Sequence, residues 1–600
     1  MELSIVAALF YIITTAALIT GFMLLKKSDK RLMLGTWLPV SFIALMGWQT
    51  FSSGIINLAH IKVNIISLGI INFAAALFLL YISFKNKKVQ GYSLNMVDII
   101  AWILIILVVS FVAYRRFGEF LSPTYSAWDA AVHMSSARGV INSGHIGGMY
   151  YAALHNGLLM ETFGAFTKLS HIYKIYVLGD VFHLILAGFM FWGVIRRYTD
   201  GFFLKVFGVL ATYMYVMGYP FNSTLFGFSY LGMGVTVIAF IIAVMDIYME
   251  GEIDKKINIF LLALGCYGIF QSYVLFMPVV FFAVFICVLI RQKRDGKLFS
   301  PETIGVELGI FLLATLLGLW YTYGGIFMSR GESGGGTTVS SAINIEGGIY
   351  ADLYSNFIFL IPLALYGLYM LLKEKKNIFI AVLTILDVIF VAALLYMALN
   401  HKVSAYYYYK NYYMLWLLAW VLAFSGIAHI KKETRLIPVF TMGLWCLIIF
   451  MGRFDIEDRI SNRNPLLVPQ LNEENLSHIY KFNYVFLRMS EHIPKDKLDI
   501  YEYVCEELLS KEDKYIPVAG SIEDYFWMQA ITNQDCSDFQ YWNYGDKERE
   551  GETFFDTLHT EDIHYLIVFT DSEFYLKNQT YFDNMERLYE NKTGYIALVR

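Results

Sequence analysis

Apolar stretches of about 20 residues recur as far as position 452, and they decide what this chain can fold into. A stretch of that length crosses a bilayer as a helix, because only a helix satisfies every backbone N–H and C=O in hydrocarbon without water. The stretches are 3–25, 33–53, 63–84, 96–114, 172–195, 201–218, 230–249, 257–271, 274–291, 304–328, 354–372, 378–399, 411–430 and 436–452. They predict about fourteen transmembrane helices. Charged residues make up only 16% of the chain and AVILMFWYC make up 57%; soluble domains run nearer a quarter charged. That balance excludes a disordered, collagen-like or disulfide-scaffolded chain. A net charge of −4 gives no basic footprint for nucleic acid. Residues 1–25 lack a basic n-region and a small-residue cleavage site, so they read as a retained helix.

Charge then orients the helices. Basic residues concentrate in the connections 26–32, 85–89, 196–200, 250–256, 291–297, 373–376 and 431–435, which all fall on one side when the spans alternate. Basic connections stay cytoplasmic. The connections 54–62, 115–171, 219–229, 329–353 and 400–410, everything after 452, and both termini are then expected outside. Arg115 and Arg116 are the exception, for which snorkelling or a lipid phosphate would account. The expectation is a multi-pass plasma-membrane protein of bacterial style. It divides into accessory helices (1–95), a transmembrane core (96–452) with an outer loop at 115–171, and an extracytoplasmic α/β domain (453–600).

In the tail, 475–493 and 498–511 read as helices, the second amphipathic. An apolar run at 516–520 precedes a helix capped by Ser521, with Glu523 and Asp524 in its first turn. Residues 564–569 and 594–599 read as strands and 578–590 as a helix. No phosphate loop or metal-ligand cluster is present, so a docking lid or an acceptor-recognition unit is the expectation. Cys266, Cys287 and Cys446 lie in apolar stretches, while Cys505 and Cys536 are candidates for pairing. Four N-x-S/T sequons, at Asn222, Asn475, Asn578 and Asn591, fall outside in this topology.

The outer loop holds the most informative segment, 126–139 (SAWDAAVHMSSARG). Residues 127–142 suit a short helix at the membrane surface, with a second at 151–168 and His145 and His155 nearby. Asp129 and His133 are four apart and share a face, which Ser136 continues; Arg138 is turned well round from Asp129. A carboxyl near the bilayer gains proton affinity, which suits a general base. His133 would orient it, share its proton, or complete a divalent-cation site with it. An ordinary hydrogen-bonded pair has the same spacing, but an interfacial ionisable pair is a functional candidate by default.

Together, WDAAVH (128–133) at the head of a long outer loop, the tyrosine-rich YYYYKN (406–411) before a late helix, and the closing SEFY…ERLYENKTGYIALVR resemble GT-C-type integral-membrane glycosyltransferases. The resemblance implies many helices, juxtamembrane helices in the first long outer loop, and an extracytoplasmic α/β tail. It also implies a polyprenyl-phosphate-linked sugar as donor, an extracytoplasmic glycan or lipid as acceptor, and Asp129 as the acid/base residue, with His133 in support. The chain departs from the pattern in placing three helices before the one that leads into the loop. It also has no DxD or ExD pair in the loop, which leaves a Mg or Mn requirement open.

In 400–411 (NHKVSAYYYYKN), the tyrosines would contact sugar and Lys410 would stabilise the phosphate leaving group; an interfacial aromatic belt is the plain alternative. The substrate-binding set is Lys410, Tyr408, Tyr409, Arg138, Arg330 and His155, with His401 and Lys402 weaker. Arg330 opens the Gly-rich loop 329–350, a candidate gate that also holds Glu332 and Glu346. Asp180 with His183, Asp246 and Asp387 are intramembrane groups of open role. A transporter or flippase of lipid-linked sugars, a polymerase or ligase of another fold, and a non-catalytic scaffold are the competing functions. No internal repeat supports the first of these.

Overall fold

The computed structural model describes residues 2–25, 31–85, 91–126, 128–217, 224–225, 227, 229–298, 300–301, 303–323, 360–374, 377–403, 405–430, 434–436, 492–511, 515–534, 554–560 and 563–599. Among these, nine helices are long and apolar enough to cross a membrane. The chain is a polytopic helical membrane protein with a small C-terminal sheet.

The helices are α1 (Glu2–Leu24), α2 (Leu34–Leu58), α3 (Ile65–Lys85), α4 (Met96–Phe117), α5 (Trp128–Ser143), α6 (Tyr151–Gly164), α7 (Ile172–Ile195) and α8 (Phe202–Met217). They continue with α9 (Ser229–Glu250), α10 (Lys255–Ser272), α11 (Met277–Arg294), α12 (Gly309–Tyr323), α13 (Ile361–Glu374), α14 (Ile378–Leu399), α15 (Ala405–Lys410) and α16 (Tyr412–His429). Thirteen of the expected spans therefore hold a helix, although α2, α8, α10 and α13 are shorter or less apolar than the nine. The fourteenth, 436–452, lies outside the described residues except for Leu436. As expected, 127–142 and 151–168 hold two short helices, α5 and α6, neither among the nine long enough to span.

At the centre stands α9, buried along almost its whole length. A helix that is apolar all round belongs inside a bundle. Small residues set the closest crossings. Gly367 of α13 and Gly426 of α16 face one another, and a Cβ on either would strike backbone of the other helix. Such pairs let membrane helices approach to backbone contact.

Side-chain contacts between connections test the alternation of sides. At one end, Arg196 Nε donates to Asp98 Oδ1 at 2.9 Å, and Arg197 Nη2 donates to Glu252 Oε1 at 2.8 Å. Arg294 Nη2 donates to the Met249 carbonyl at 2.8 Å, and His429 meets Glu374 at 3.2 Å. At the other end, Val63 N–H donates to the Gly144 carbonyl at 2.8 Å and Ile65 N–H to Glu161 Oε2 at 2.9 Å. Each contact joins connections, or the span ends next to them, that are predicted to share a side. The tail also docks on the outer loop, so 115–171 and the tail share a face of the protein.

The tail holds α17 (Lys495–Tyr503), β1 (Val518–Ala519), α18 (Ile522–Thr532), α19 (Phe554–Thr560), β2 (Tyr565–Phe569), α20 (Glu573–Lys577), α21 (Gln579–Phe582), β3 (Glu586–Glu590) and β4 (Gly594–Leu598). The sheet order is β1-β2-β4-β3, with β1 parallel to β2 and the other pairs antiparallel. The capping box at α18 forms as read, Ser521 and Asp524 each accepting the other's backbone N–H. The single helix expected over 578–590 does not form. Its first residues make the one-turn α21, and Glu586–Glu590 become an edge strand, because pairing with β4 satisfies their backbone. Most of 475–493 lies outside the described residues, and His492 is bridged to Thr124 rather than helical. Cys505 carries a free thiol, and Cys536 and Cys446 lie outside the described residues.

Candidate active site at the outer loop

Two surfaces hold α5. On the tail side, Trp128 stacks on Phe526 of α18, with ring centroids 5.2 Å apart and planes 15° from parallel. Arg138 Nη1 donates to the Ala530 and Ile531 carbonyls at 2.8 and 2.7 Å. These are among the last carbonyls of α18, which have no partner within their own helix. On the bundle side, Gly227 adopts φ +96 against Ala130, and a Cβ there would lie 2.6 Å from the Ala130 Cα. This close approach seats α5 on the turn that leads into α9.

Between these supports, α5 carries Asp129 and His133 toward the outer end of α9. The His133 ring lies 4.9 Å from the Tyr230 ring, centroid to centroid. Lys410 Nζ lies 6.0 Å from the centre of the same Tyr230 ring. Lys410 ends α15 and is fully buried. Its neighbour Asn411 donates through Nδ2 to Asp387 Oδ1 of α14 at 2.6 Å, which fixes the turn between α15 and α16. Tyr412 donates its hydroxyl hydrogen to the Tyr408 oxygen at 2.7 Å, bracing α15 on α16. Two residues read from the loop and Lys410 of the tyrosine-rich connection, some 280 positions away, thus meet at one place.

Electrostatics couple them. Burial raises the Asp129 proton affinity, and the Lys410 charge partly offsets the rise. Burial pushes Lys410 down to about 7, with Asp129 acting the other way. Burial, aided by Lys410, lowers His133 to about 4. Near neutrality His133 is therefore a neutral imidazole, able to donate one hydrogen bond and accept another. The arrangement is a carboxyl of raised proton affinity beside an amine that holds its charge only weakly.

Arg138 and His155 do not join this cluster. Arg138 is committed to α18. His155 Nε2 lies 3.1 Å from both Thr50 Oγ1 and the Met46 carbonyl, and so ties α6 to α2. Ser136 is exposed and donates to its own helix at the Val132 carbonyl, 2.9 Å away. Arg116 is buried and donates through Nε to the Leu225 carbonyl at 3.0 Å, a structural use of one of the two outer arginines. Arg330 and the loop 329–350 lie outside the described residues, as does the Tyr409 side chain. Asp180 accepts from Asn156 Nδ2 at 3.1 Å inside the bundle. Sequence reading missed Tyr230. One tyrosine among 43, at the start of an apolar helix, carries no signal of its own.

Among the described residues, no three His, Cys, Asp or Glu side chains gather as metal ligands. Asp129 and His133 supply two donors, with an amine nearby, which is not a cation site by itself.

No protein-family profile matches the chain, and no curated protein matches it. Among solved structures, the chain is similar to ArnT from Cupriavidus metallidurans bound to undecaprenyl phosphate. The TM-score is 0.49 and the identity 10%, with 83% of this chain and 97% of that chain covered.

Proposed function

We propose that the chain is a glycosyltransferase that moves a sugar from a polyprenyl-phosphate carrier to an extracytoplasmic cell-envelope acceptor. The observation that supports this reading is the convergence of Asp129, His133 and Lys410 around Tyr230 at the outer end of the bundle. A buried amine at the head of a membrane helix suits an anionic group arriving from the lipid. A phosphate restores its charge and receives charge-assisted hydrogen bonds in return. A carboxyl of raised proton affinity beside it suits removal of a hydroxyl proton.

The acceptor oxygen attacks the anomeric carbon as the bond from that carbon to the phosphate oxygen breaks. Asp129 takes the hydroxyl proton, and the bonding pair leaves with the phosphate, which Lys410 stabilises as its charge grows. A single displacement inverts the anomeric configuration. Neutral His133 orients Asp129 or the acceptor hydroxyl. Tyr408 braces the segment that carries Lys410.

The test uses the full-length chain in vesicles, with a polyprenyl-phosphate sugar and candidate acceptors. Asp129→Asn is expected to lower transfer by about 10²–10⁴-fold, the range for general-base loss. Intact transfer by that variant removes the base assignment. Movement of the lipid across the vesicle without bond formation favours a flippase.

A further inference from the structure

Away from the Asp129 cluster, a cleft of about 670 Å³ opens between the outer loop and the tail. One wall is the strap 117–122 that follows α4, and the other is the start of α7. The floor is the beginning of α17 and the residues before it. The walls are fixed rather than incidental. Gly118 (φ +67) and Leu121 (φ +51) both adopt left-handed backbone, which is costly for leucine. The strap is pinned to the tail. Ile493 N–H donates to the Pro123 carbonyl at 3.0 Å, and Ser122 Oγ donates to the Ile493 carbonyl at 3.3 Å. The His492 Nε2 lies 2.6 Å from the Arg116 carbonyl, and a Cβ at Gly118 would lie 3.0 Å from that imidazole. The tail therefore shapes this cleft as it docks.

The lining is mixed. Tyr114 and Phe120 present exposed rings, Arg115, Lys174 and Lys495 present cations, and Glu119, Asp499 and Glu502 present carboxylates, Glu502 being paired with Lys168 at 3.0 Å. Three carboxylates beside three cations leave no excess of positive charge for a bare anion. Rings that can stack on C–H faces, with acceptors and donors interleaved between them, match the hydroxyls and ring faces of a saccharide. Depth supplies the second half of the argument. Tyr114 and Arg115 end the span α4, and Ser170–Lys174 begin the next span, so the mouth lies at headgroup level. Phe111, Leu169 and Leu178, close in sequence to this lining, are exposed, apolar surface of the kind that faces lipid.

We propose that this cleft is a recognition site for the saccharide of a lipid-anchored acceptor, holding a sugar distal to the one that reacts at Asp129 while the lipid chain remains in the bilayer. The proposal rests on the glycosyltransferase reading and narrows the acceptor to a membrane-anchored saccharide. It also accounts for Arg115, the outer arginine that the positive-inside pattern leaves unexplained.

The probe is an alkyl maltoside carrying a diazirine in its alkyl chain, added to the full-length chain in a sugar-free amphipol. Peptides from 111–122, 169–178 and 492–502 are expected to be labelled, with excess unmodified maltoside competing. Glu119→Ala/Lys174→Ala/Asp499→Ala should lower labelling at least fivefold, and the single exposed substitution Lys495→Glu should lower it without risk to the core. Absent labelling, or labelling that these variants leave unchanged, overturns the proposal. Stronger labelling of the same peptides by a diazirine phosphatidylglycerol, uncompeted by maltoside, also overturns it, in favour of a structural lipid. The two readings fail separately. Normal transfer by Asp129→Asn with labelling intact removes the catalytic assignment alone, and lost labelling with Asp129-dependent transfer removes only the cleft.

Discussion

The amine of Lys410 lies 6.0 Å from the centre of the Tyr230 ring. His133 packs against the same ring, and so a tyrosine at the head of the most buried helix joins the loop helix to the tyrosine-rich connection. Lys410→Ala removes the cation that meets the leaving phosphate and should lower kcat by about 10²–10³-fold, as loss of one electrostatic stabiliser does. Tyr230→Phe keeps the ring and should cost less than Tyr230→Ala. Steady-state kinetics on the three variants check the order.

Transfer should follow a bell-shaped pH profile in kcat/KM. Asp129 works as the carboxylate, so activity rises as pH climbs through its proton affinity, and burial moves that limb above the ordinary carboxylate range. Lys410 works as the ammonium and is held down at about 7, so activity falls as pH rises past that value. Lys410→Arg keeps its charge at any working pH and should abolish the alkaline limb. An unchanged alkaline limb in that variant would assign it to another group.

Arg138→Met should loosen the tail rather than remove a substrate contact. Two charged hydrogen bonds to the α18 carbonyls are lost, at a cost of about 1.5–3 kcal/mol each before water re-enters. Faster limited proteolysis of the tail is the readout. Loss of transfer with a normally seated tail would restore the substrate role that the sequence suggested.

Within the tail, Lys497 and Asp524 form a buried ion pair at 2.8 Å, with Asp524 also accepting from the Tyr125 hydroxyl at 2.8 Å. Lys497→Met leaves that carboxylate buried without its cation and should destabilise the tail by about 3–5 kcal/mol. Lys497→Met/Asp524→Leu should recover most of this, short of about 1 kcal/mol for the lost cap. Thermal unfolding followed by tryptophan fluorescence measures both.

Sidedness has a direct check. In a cysteine-free background, His145→Cys should react with an impermeant maleimide on intact cells. Lys256→Cys should react only after permeabilisation. The reverse pattern would place the site in the cytoplasm.

The spans, their alternation and the loop helix were legible because apolar run length and basic connections are local properties of the chain. Asp129, His133 and Lys410 could be singled out because ionisable residues beside a bilayer are costly. Their meeting through Tyr230 was not legible, since it depends on how α5, α9 and α15 pack. Arg138 misled for a related reason: an arginine near a site looks the same in sequence whether it grips phosphate or the end of a helix. The failed helix at 578–590 shows the sheet overriding local pattern, because β4 offers Arg587 and Tyr589 a backbone partner that no reading of those residues alone contains.

Because α9 is enclosed by protein on nearly every side, it offers no greasy flank for a long isoprenoid to lie along. Under the proposed function, a carrier bound for Lys410 travels in from the periphery, parting outer helices whose apolar side chains already face the hydrocarbon. The bundle's axis therefore acts as a fixed backstop, and the doorway for the tail of the carrier belongs to its rim.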